Sequence, residues 1–301
     1  MVEVKNKNKK REISKDKIFV ISCLVIILLL TVMVLYPVIY VISASFSSPT
    51  ALMQGKVWLW PVDVSLAGYK AVFDYQKVWI GYGNTIFYTV VGTVINVVMS
   101  MICAYPLSRR NLPGRGIFMG IFTFTMLFSG GLIPNYVWMK TLGLLDTRWA
   151  LLIPSAMSVY NMIVARTFIE NNVPEELYEA AKIDGSDDFN FFFKIVLPLT
   201  KAVIAVLALW YAVGHWNAYF DAFIYLKDNT LYPLQIFLKD ILVANSSSAE
   251  MMSAESHVDL LNLKLLLKYS LIVVSAAPLC ALYPFVQKYF VKGVTIGSVK
   301  G

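Results

Sequence analysis

Two groups of residues have types and spacings that define a task. In the first, Glu179-Ala180-Ala181 is followed by three residues and Gly185, then by nine residues and Ile195, one residue, and Leu197-Pro198. Ahead of it, Asn171-Asn172-Val173-Pro174-Glu175-Glu176 reads as a helix start: polar capping residues, Pro near the first turn, and two acids at the positive end of the helix dipole. Leu177, Ala180, Ala181 and Asp184 follow at helical spacing, and Gly185 stops the helix after about three turns, roughly 15 Å. Ala180 and Ala181 keep one face thin, so that a groove on another protein can close around it. Phe189, Phe191, Phe192 and Phe193 then supply an apolar base, and Pro198 opens the next apolar run. A thin rigid helix on an aromatic anchor suits docking and the transmission of force.

The second group lies just beyond, in LALWYAVGHWNAYFDAFIYL. At helical spacing Trp210, Gly214, Asn217 and Asp221 share one stripe, and Tyr211, His215 and Tyr219 share the adjoining one, with Trp216 beside them. Aromatic faces that pack on C–H surfaces, together with fixed donors and acceptors, are what a polyhydroxylated ligand such as a sugar requires. Upstream, Thr85, Thr89, Thr93, Asn96 and Ser100 recur at spacings of three and four, and Ser158 and Asn161 sit in a third apolar run. On this reading Tyr211, His215, Trp216, Asn217, Tyr219 and Asp221 line the outer half of a solute path, with Asn161 and Asn96 contributing. Helix packing is the competing account of each residue, because small and polar residues also glue membrane helices and Trp and Tyr also belt the interface. For His215 alone, packing is the better account.

Neither group makes or breaks bonds. The chain has two histidines, one of them His257 in a polar loop, and Cys23, Cys103 and Cys280 are scattered in apolar runs without a CxxC pair. No nucleophile with a base and no metal cluster is apparent, which argues against an intramembrane enzyme. There is no GxxxxGK[ST], so the tail containing Gly293 is not a phosphate loop. No cofactor is expected on this chain.

The elements that hold both groups are set by composition. The sequence is 58% hydrophobic and 15% charged over 301 residues, which points to repeated membrane spans. A spanning helix needs roughly 20 apolar residues, and six stretches qualify: about 18–46, 84–108, 116–134, 149–169, 199–226 and 264–290. The first is too long for a signal h-region and has no small-residue cleavage site after it, so it is read as retained. Backbone groups in hydrocarbon must be bonded internally, and runs of this length without dyad alternation fit helices rather than barrel strands. The expected fold class is all-α and polytopic, with six transmembrane helices. About 17 of the 26 Lys and Arg fall on the N-terminal side of the membrane, which places both termini in the cytoplasm. Residues 1–17 form a basic arm, KNKNKKR at its heart; without aromatic partners for bases it reads as topogenic and lipid-facing, not as a nucleic-acid site.

Between the spans, residues 47–83 carry Trp58, Trp60, Trp79 and LAGYKAVFDYQKVW, a mixture suited to a helix at the outer interface. Gly130, Gly131 and Pro134 mark the end of the third span. Gly116 and Gly120 form a GxxxG that marks close helix packing. Residues 227–262 are the longest outer loop, with the small, polar ANSSSAEMMSAES inside it. Pro37, Pro106, Pro278 and Pro284 can kink their helices.

The Glu179-to-Pro198 pattern resembles the EAA loop of binding-protein-dependent ABC importer permeases, and Glu179, Ala180, Ala181, Gly185, Ile195, Leu197 and Pro198 match at every position. The run from Leu207 to Leu226 and the ending GVTIGSVKG resemble carbohydrate-importer permeases related to the second membrane subunit of the maltose transporter, and the LplC-type oligosaccharide permeases more closely. The resemblance implies a type I ABC importer permease fold over 18–290, with a cytoplasmic coupling loop at 170–198 and a tail at 291–301. It implies a multi-pass protein of the bacterial cell membrane that imports oligosaccharide by alternating access. Its partners would be a homologous second permease, two cytoplasmic ATPase subunits that hold ATP and Mg, and an extracytoplasmic solute-binding protein. It further implies that Glu179, Ala180, Ala181, Asp184 and Gly185 couple to the ATPase, with Glu179 in a charged contact, Gly185 allowing close approach, and the tail reaching the ATPase interface. Other readings are a permease of the same type for a non-sugar solute, and an ion-gradient transporter. The latter asks for paired intramembrane acids or broken helices at the midplane, and the spans offer Asp221 alone, near an outer end.

Overall fold

The computed structural model describes residues 2–243, 262, 264–282 and 284. Among them every regular element is helical and no strand occurs. In chain order they are α1 (Val2–Ser45), α2 (Pro49–Met53), α3 (Ala67–Asp74), α4 (Gln76–Ser108), α5 (Arg115–Leu127), α6 (Leu132–Thr141), α7 (Trp149–Leu152), α8 (Val159–Asn172), α9 (Glu175–Ile183) and α10 (Asp188–Phe191). A π-turn (Phe192–Val196) leads to α11 (Leu197–Leu199), α12 (Lys201–Asn217) and α13 (Phe220–Tyr225). A 3-10 turn (Asn229–Leu231) precedes α14 (Leu234–Val243), and α15 covers Lys264–Leu282. The calls on residues 244–261, including ANSSSAEMMSAES and His257, on the end of the sixth expected span at 285–290, and on the tail 291–301 lie outside the described residues.

The chain divides into two compact units, Met1–Asp74 with Ser246–Val274, and Tyr75–Asn245 with Ser275–Gly301. In the first unit, α1 is apolar on every side from Ile18 to Ile42, as a helix solvated by lipid should be. Its C-terminal serines turn inward: Ser43 Oγ donates to Leu59 O at 2.6 Å, Ser47 Oγ accepts from Val62 N at 3.1 Å, and Ser45 Oγ pairs with Tyr69 Oη at 2.8 Å. The segment 47–83 is not one interfacial helix. Ser48 caps the short α2, α3 stops at Asp74, and Gln76 already begins α4.

In the second unit α4 is the central post, packed against α8, α12 and α14. Its buried positions, Gly81, Thr85, Tyr88, Gly92, Asn96, Ser100, Ala104 and Leu107, recur every three or four residues, while Ile86, Val90, Val94, Val98 and Ile102 face outward. The polar side is thus the inner side. In hydrocarbon this is the expected arrangement, since a polar group without a partner costs several kcal/mol there.

Three helices, Asp16–Ser45, Gln76–Ser108 and Lys264–Leu282, are long and apolar enough to cross a membrane alone. The third expected span bends by 113° between α5 and α6, at Gly131 with φ +87°. The 149–169 run is interrupted at residues 153–158, where Pro154 withholds a donor. The fifth bends by 79° between Asp188–Leu199 and α12, at Thr200, so Pro198 sits in a short turn before the helix and does not open it. Gly116 and Gly120 meet nothing within 4 Å of a built Cβ, so the GxxxG makes no close packing among the described residues.

Asp146 ties two loops together. It sits at φ +59°, its amide donates to Tyr225 O at 2.9 Å, and its carboxylate accepts from the amides of Lys227 and Asp228 at 2.8 and 2.9 Å. Those two backbone donors, Asp228 first, hold its pKa below the ordinary carboxylate value. The latch is therefore complete above the ordinary carboxylate range and is lost as pH falls through the depressed value. Asp146→Ala is expected to speed amide hydrogen exchange at Lys227 and Asp228 at neutral pH; unchanged exchange there would contradict the latch.

Candidate functional site

The first site is α9 with its base. The helix runs nine residues, Glu175–Ile183, about 14 Å. Pro174 is its N-cap residue, Glu175 and Glu176 occupy its first turn, and Gly185 at φ +76° ends it. Asn171 and Asn172 do not cap it. They close α8, where Asn172 Nδ2 donates to Phe168 O at 2.8 Å.

The thin face has a different composition from the expected one. Ala181 is 7% exposed and packs inward with Val173, Phe191 and Phe192. The outward face carries Glu176, Glu179, Ala180 and Ile183, the last 87% exposed, with Asp184 and Gly185 at its end. Phe191 and Phe192 form the base, whereas Phe189 and Phe193 are exposed. A Cβ at Gly185 would meet nothing within 4 Å among the described residues, where its cost is the left-handed backbone alone. Beneath α9, Tyr178 Oη donates to Asp188 Oδ1 at 2.9 Å, and Lys182 stands 5.2 Å from the Tyr178 ring; hydrogen bonding with the Tyr178 side chain, and then the charges of Tyr178 and Asp188, raise the Lys182 pKa.

The second site is a cavity of about 300 Å³ between α4, α12, α13 and the 153–158 break. Tyr211, His215, Asp221 and Asn96 all line it, along with Trp210, Gly214 and Ser158. Tyr211 Oη pairs with Ser100 Oγ at 2.7 Å and accepts from Ser158 N at 3.0 Å. Asn96 Nδ2 donates to Ser155 O, which leaves Asn96 Oδ1 to accept from His215 Nε2 at 2.5 Å. The tautomer with hydrogen on Nε2 follows from that amide orientation. Gly92 makes room for the imidazole, since a Cβ there would stand 2.6 Å from His215 Cε1. His215 is thus both packed and cavity-lining.

The other expected residues sit elsewhere. Trp216 is buried, with Nε1 donating to Ser275 O at 3.0 Å. Asn217 is exposed and donates to Val213 O of its own helix, Tyr219 is exposed beside Phe220, and Asn161 is buried in α8; none lines the cavity. Sequence reasoning missed Tyr88, Ser155, Met157 and Pro233 as lining residues. Pro154-Ser155 inside an apolar run was the available signal for the break. Part of the polar face of α4 holds structure: Asn84 Nδ2 donates to Thr230 O and Tyr232 O at 2.6 and 3.1 Å, Tyr88 Oη donates to Leu231 O at 2.8 Å, and Thr85 Oγ1 accepts from Leu234 N at 2.9 Å. Thr89 and Thr93 have buried hydroxyls with no partner among the described residues. No cluster of metal-binding side chains occurs among the described residues.

Residues 96–296 match the family described as binding-protein-dependent transport system inner membrane component. The chain is 40% identical over 265 residues to Protein LplC of Bacillus subtilis (strain 168), covering 88% of this chain and 89% of that protein. It is also 40% identical over 291 residues to the polygalacturonan/rhamnogalacturonan transport system permease protein YtcP of the same organism, covering 95% and 100%. Among solved structures, a bacterial ABC transporter involved in the import of the acidic polysaccharide alginate superposes with a TM-score of 0.83 at 37% identity, over 92% of this chain and 98% of that chain. The helices therefore build the type I ABC importer permease fold. By the family match and by relatives of this identity and coverage, the chain belongs to the family of binding-protein-dependent transport system inner membrane components.

Proposed function

We propose that this chain is the membrane permease subunit of an ATP-driven oligosaccharide importer, coupled to a cytoplasmic ATPase through α9. The observation that carries the reading is the face of α9: a short, well-terminated helix with the complete EAA spacing, held by an aromatic base and offering Glu179, Ala180, Ile183 and Gly185 outward. The sugar assignment is supported by relatives named for polygalacturonan, rhamnogalacturonan and alginate. It is also supported by a cavity in which Trp210 and Tyr211 sit beside Asn96, His215 and Asp221. An oligosaccharide offers C–H faces to the rings and hydroxyls to the polar groups.

The rest of the assembly follows from this role. Hydrolysis takes place on two partner ATPases that bind ATP and Mg; a second permease completes the path, and a solute-binding protein delivers the sugar from outside. Six spans in the bacterial cell membrane, with both termini in the cytoplasm, put the arm 1–17, the loop 170–198 and the tail 291–301 on the ATPase side, as the excess of Lys and Arg there supports. The two bent pairs, α5 with α6 and Asp188–Leu199 with α12, each count as one span in this arrangement, and the interrupted run of α7 and α8 supplies the sixth.

Two experiments test it. Gly185→Trp combines backbone strain with bulk on the docking face, and is expected to abolish copurification of the ATPase or its stimulation by sugar while membrane insertion persists. Retained sugar-stimulated hydrolysis would refute the docking role. At the cavity, Tyr211→Phe removes the acceptor for Ser158 N and the partner of Ser100, a loss of about 1–3 kcal/mol for a buried donor left unpaired. It is expected to lower the thermal midpoint in detergent and to reduce uptake of the cognate oligosaccharide, whereas Asn217→Ala does so much less. Equal uptake by wild type and Tyr211→Phe would remove Tyr211 from the path.

A further inference from the structure

The connection along the chain from α9 to the cavity passes through the π-turn Phe192–Val196 and is bent by 79° at Thr200. A second connection runs through side chains. Arg109 is the first residue after α4, and its amide closes that helix on Pro106 O at 3.1 Å. Its Nη2 donates to Glu175 Oε1 at 2.8 Å, and its Cζ lies 3.6 Å from the centre of the Tyr178 ring, so one guanidinium grips the first turn of α9 twice. Within α4, Tyr105 packs on Phe192 at 5.2 Å, while Tyr178 stands edge-on to Phe191 at 5.2 Å. The coupling helix and its aromatic base are therefore fastened to the end of α4.

We propose that Arg109 is the positioning residue through which displacement of the coupling helix reaches α4 and, by α4, the wall of the cavity. The inference rests on the docking role of α9. Helix α4 is continuous from Gln76 to Ser108; Ser100 lies roughly 14 Å and Asn96 roughly 20 Å along it from Arg109. Those two residues bond Tyr211 and His215, two of the α12 side chains that line the cavity. An ion pair to a partly exposed acid is weak alone, but a guanidinium stacked on a ring also fixes an angle, which a lysine ammonium does not. Its neighbours do a different job. Arg115 and Arg166 both pair with Glu170 of α8, and Arg110 is exposed with no partner among the described residues.

The test uses the complete transporter, with its partner permease, ATPases and binding protein, in proteoliposomes, and reads oligosaccharide imported per ATP hydrolysed. Arg109→Ala is expected to lower that ratio about fivefold, within the range for residues that carry coupling between sites. Arg109→Lys, which keeps the charge and loses the stack, is expected to lower it less, and Arg110→Ala to leave it unchanged. If Arg109→Ala does not assemble, Arg109→Lys carries the test. A wild-type ratio in every Arg109 variant that assembles, or an equal fall in Arg110→Ala, would overturn the proposal. Absence of the ATPase from the purified wild-type complex would instead overturn the docking role, and the proposal with it.

Discussion

A helix in hydrocarbon has nowhere outside to send a polar group, and this constraint organises the second unit around α4. Its polar positions face inward and its branched apolar residues face outward, the reverse of a soluble surface helix. Once Asn96 and Ser100 point inward they require partners, and the partners found are the 153–158 break and the polar face of α12. Pro154 interrupts the run between α7 and α8 and leaves backbone groups of Ser155 and Ser158 open; Asn96 accepts the task for one and Tyr211 for the other. The groups that satisfy the broken backbone thus also furnish the polar wall of the cavity. Irregular backbone at membrane depth is tolerated where it lines a cavity, and here the two features share the same side chains.

A solute hydroxyl that bonded Tyr211 or His215 would compete with the bonds, about 2.5–3.0 Å long, that these two side chains make to Ser100, Ser158 and Asn96. At the other end of α4 the aromatic base of α9 repeats the arrangement with different chemistry, using rings and a guanidinium in place of hydroxyls and amides.

Much of the fold was legible because long apolar runs in this composition have few alternatives to spanning helices. The first two runs became α1 and α4 and end within a residue of where they were expected to, although α1 begins at Val2 and α4 at Gln76, ahead of the expected 18 and 84; the helix ending at Gly185 has about the predicted length. What failed has a common cause: hydropathy records that a segment is apolar, not whether it is straight. The bend at Gly131, the break at Pro154 and the bend at Thr200 leave hydropathy high while interrupting the helix. Helical stripes likewise identify neighbours and not the face that meets a void. Tyr211 and His215 face the cavity, whereas Trp216, one residue further round, is pinned to Ser275, and Asn217 turns back on its own helix. Ala181 followed the same rule: the EAA spacing located the helix, but the inward pull of Phe191 and Val173 decided which alanine faced out.

The central claim is that the outward face of α9 is a docking surface on the ATPase side of the membrane. It is tested most directly by cysteine crosslinking in the assembled transporter, in a background without Cys23, Cys103 and Cys280. Ile183→Cys, at a position 87% exposed, is predicted to crosslink to the ATPase subunit, and Ala181→Cys, at a position turned into the chain's own core, is predicted not to. Failure of Ile183→Cys to crosslink, together with its modification in intact cells by a membrane-impermeant thiol reagent, would place α9 on the opposite side of the membrane and contradict the account.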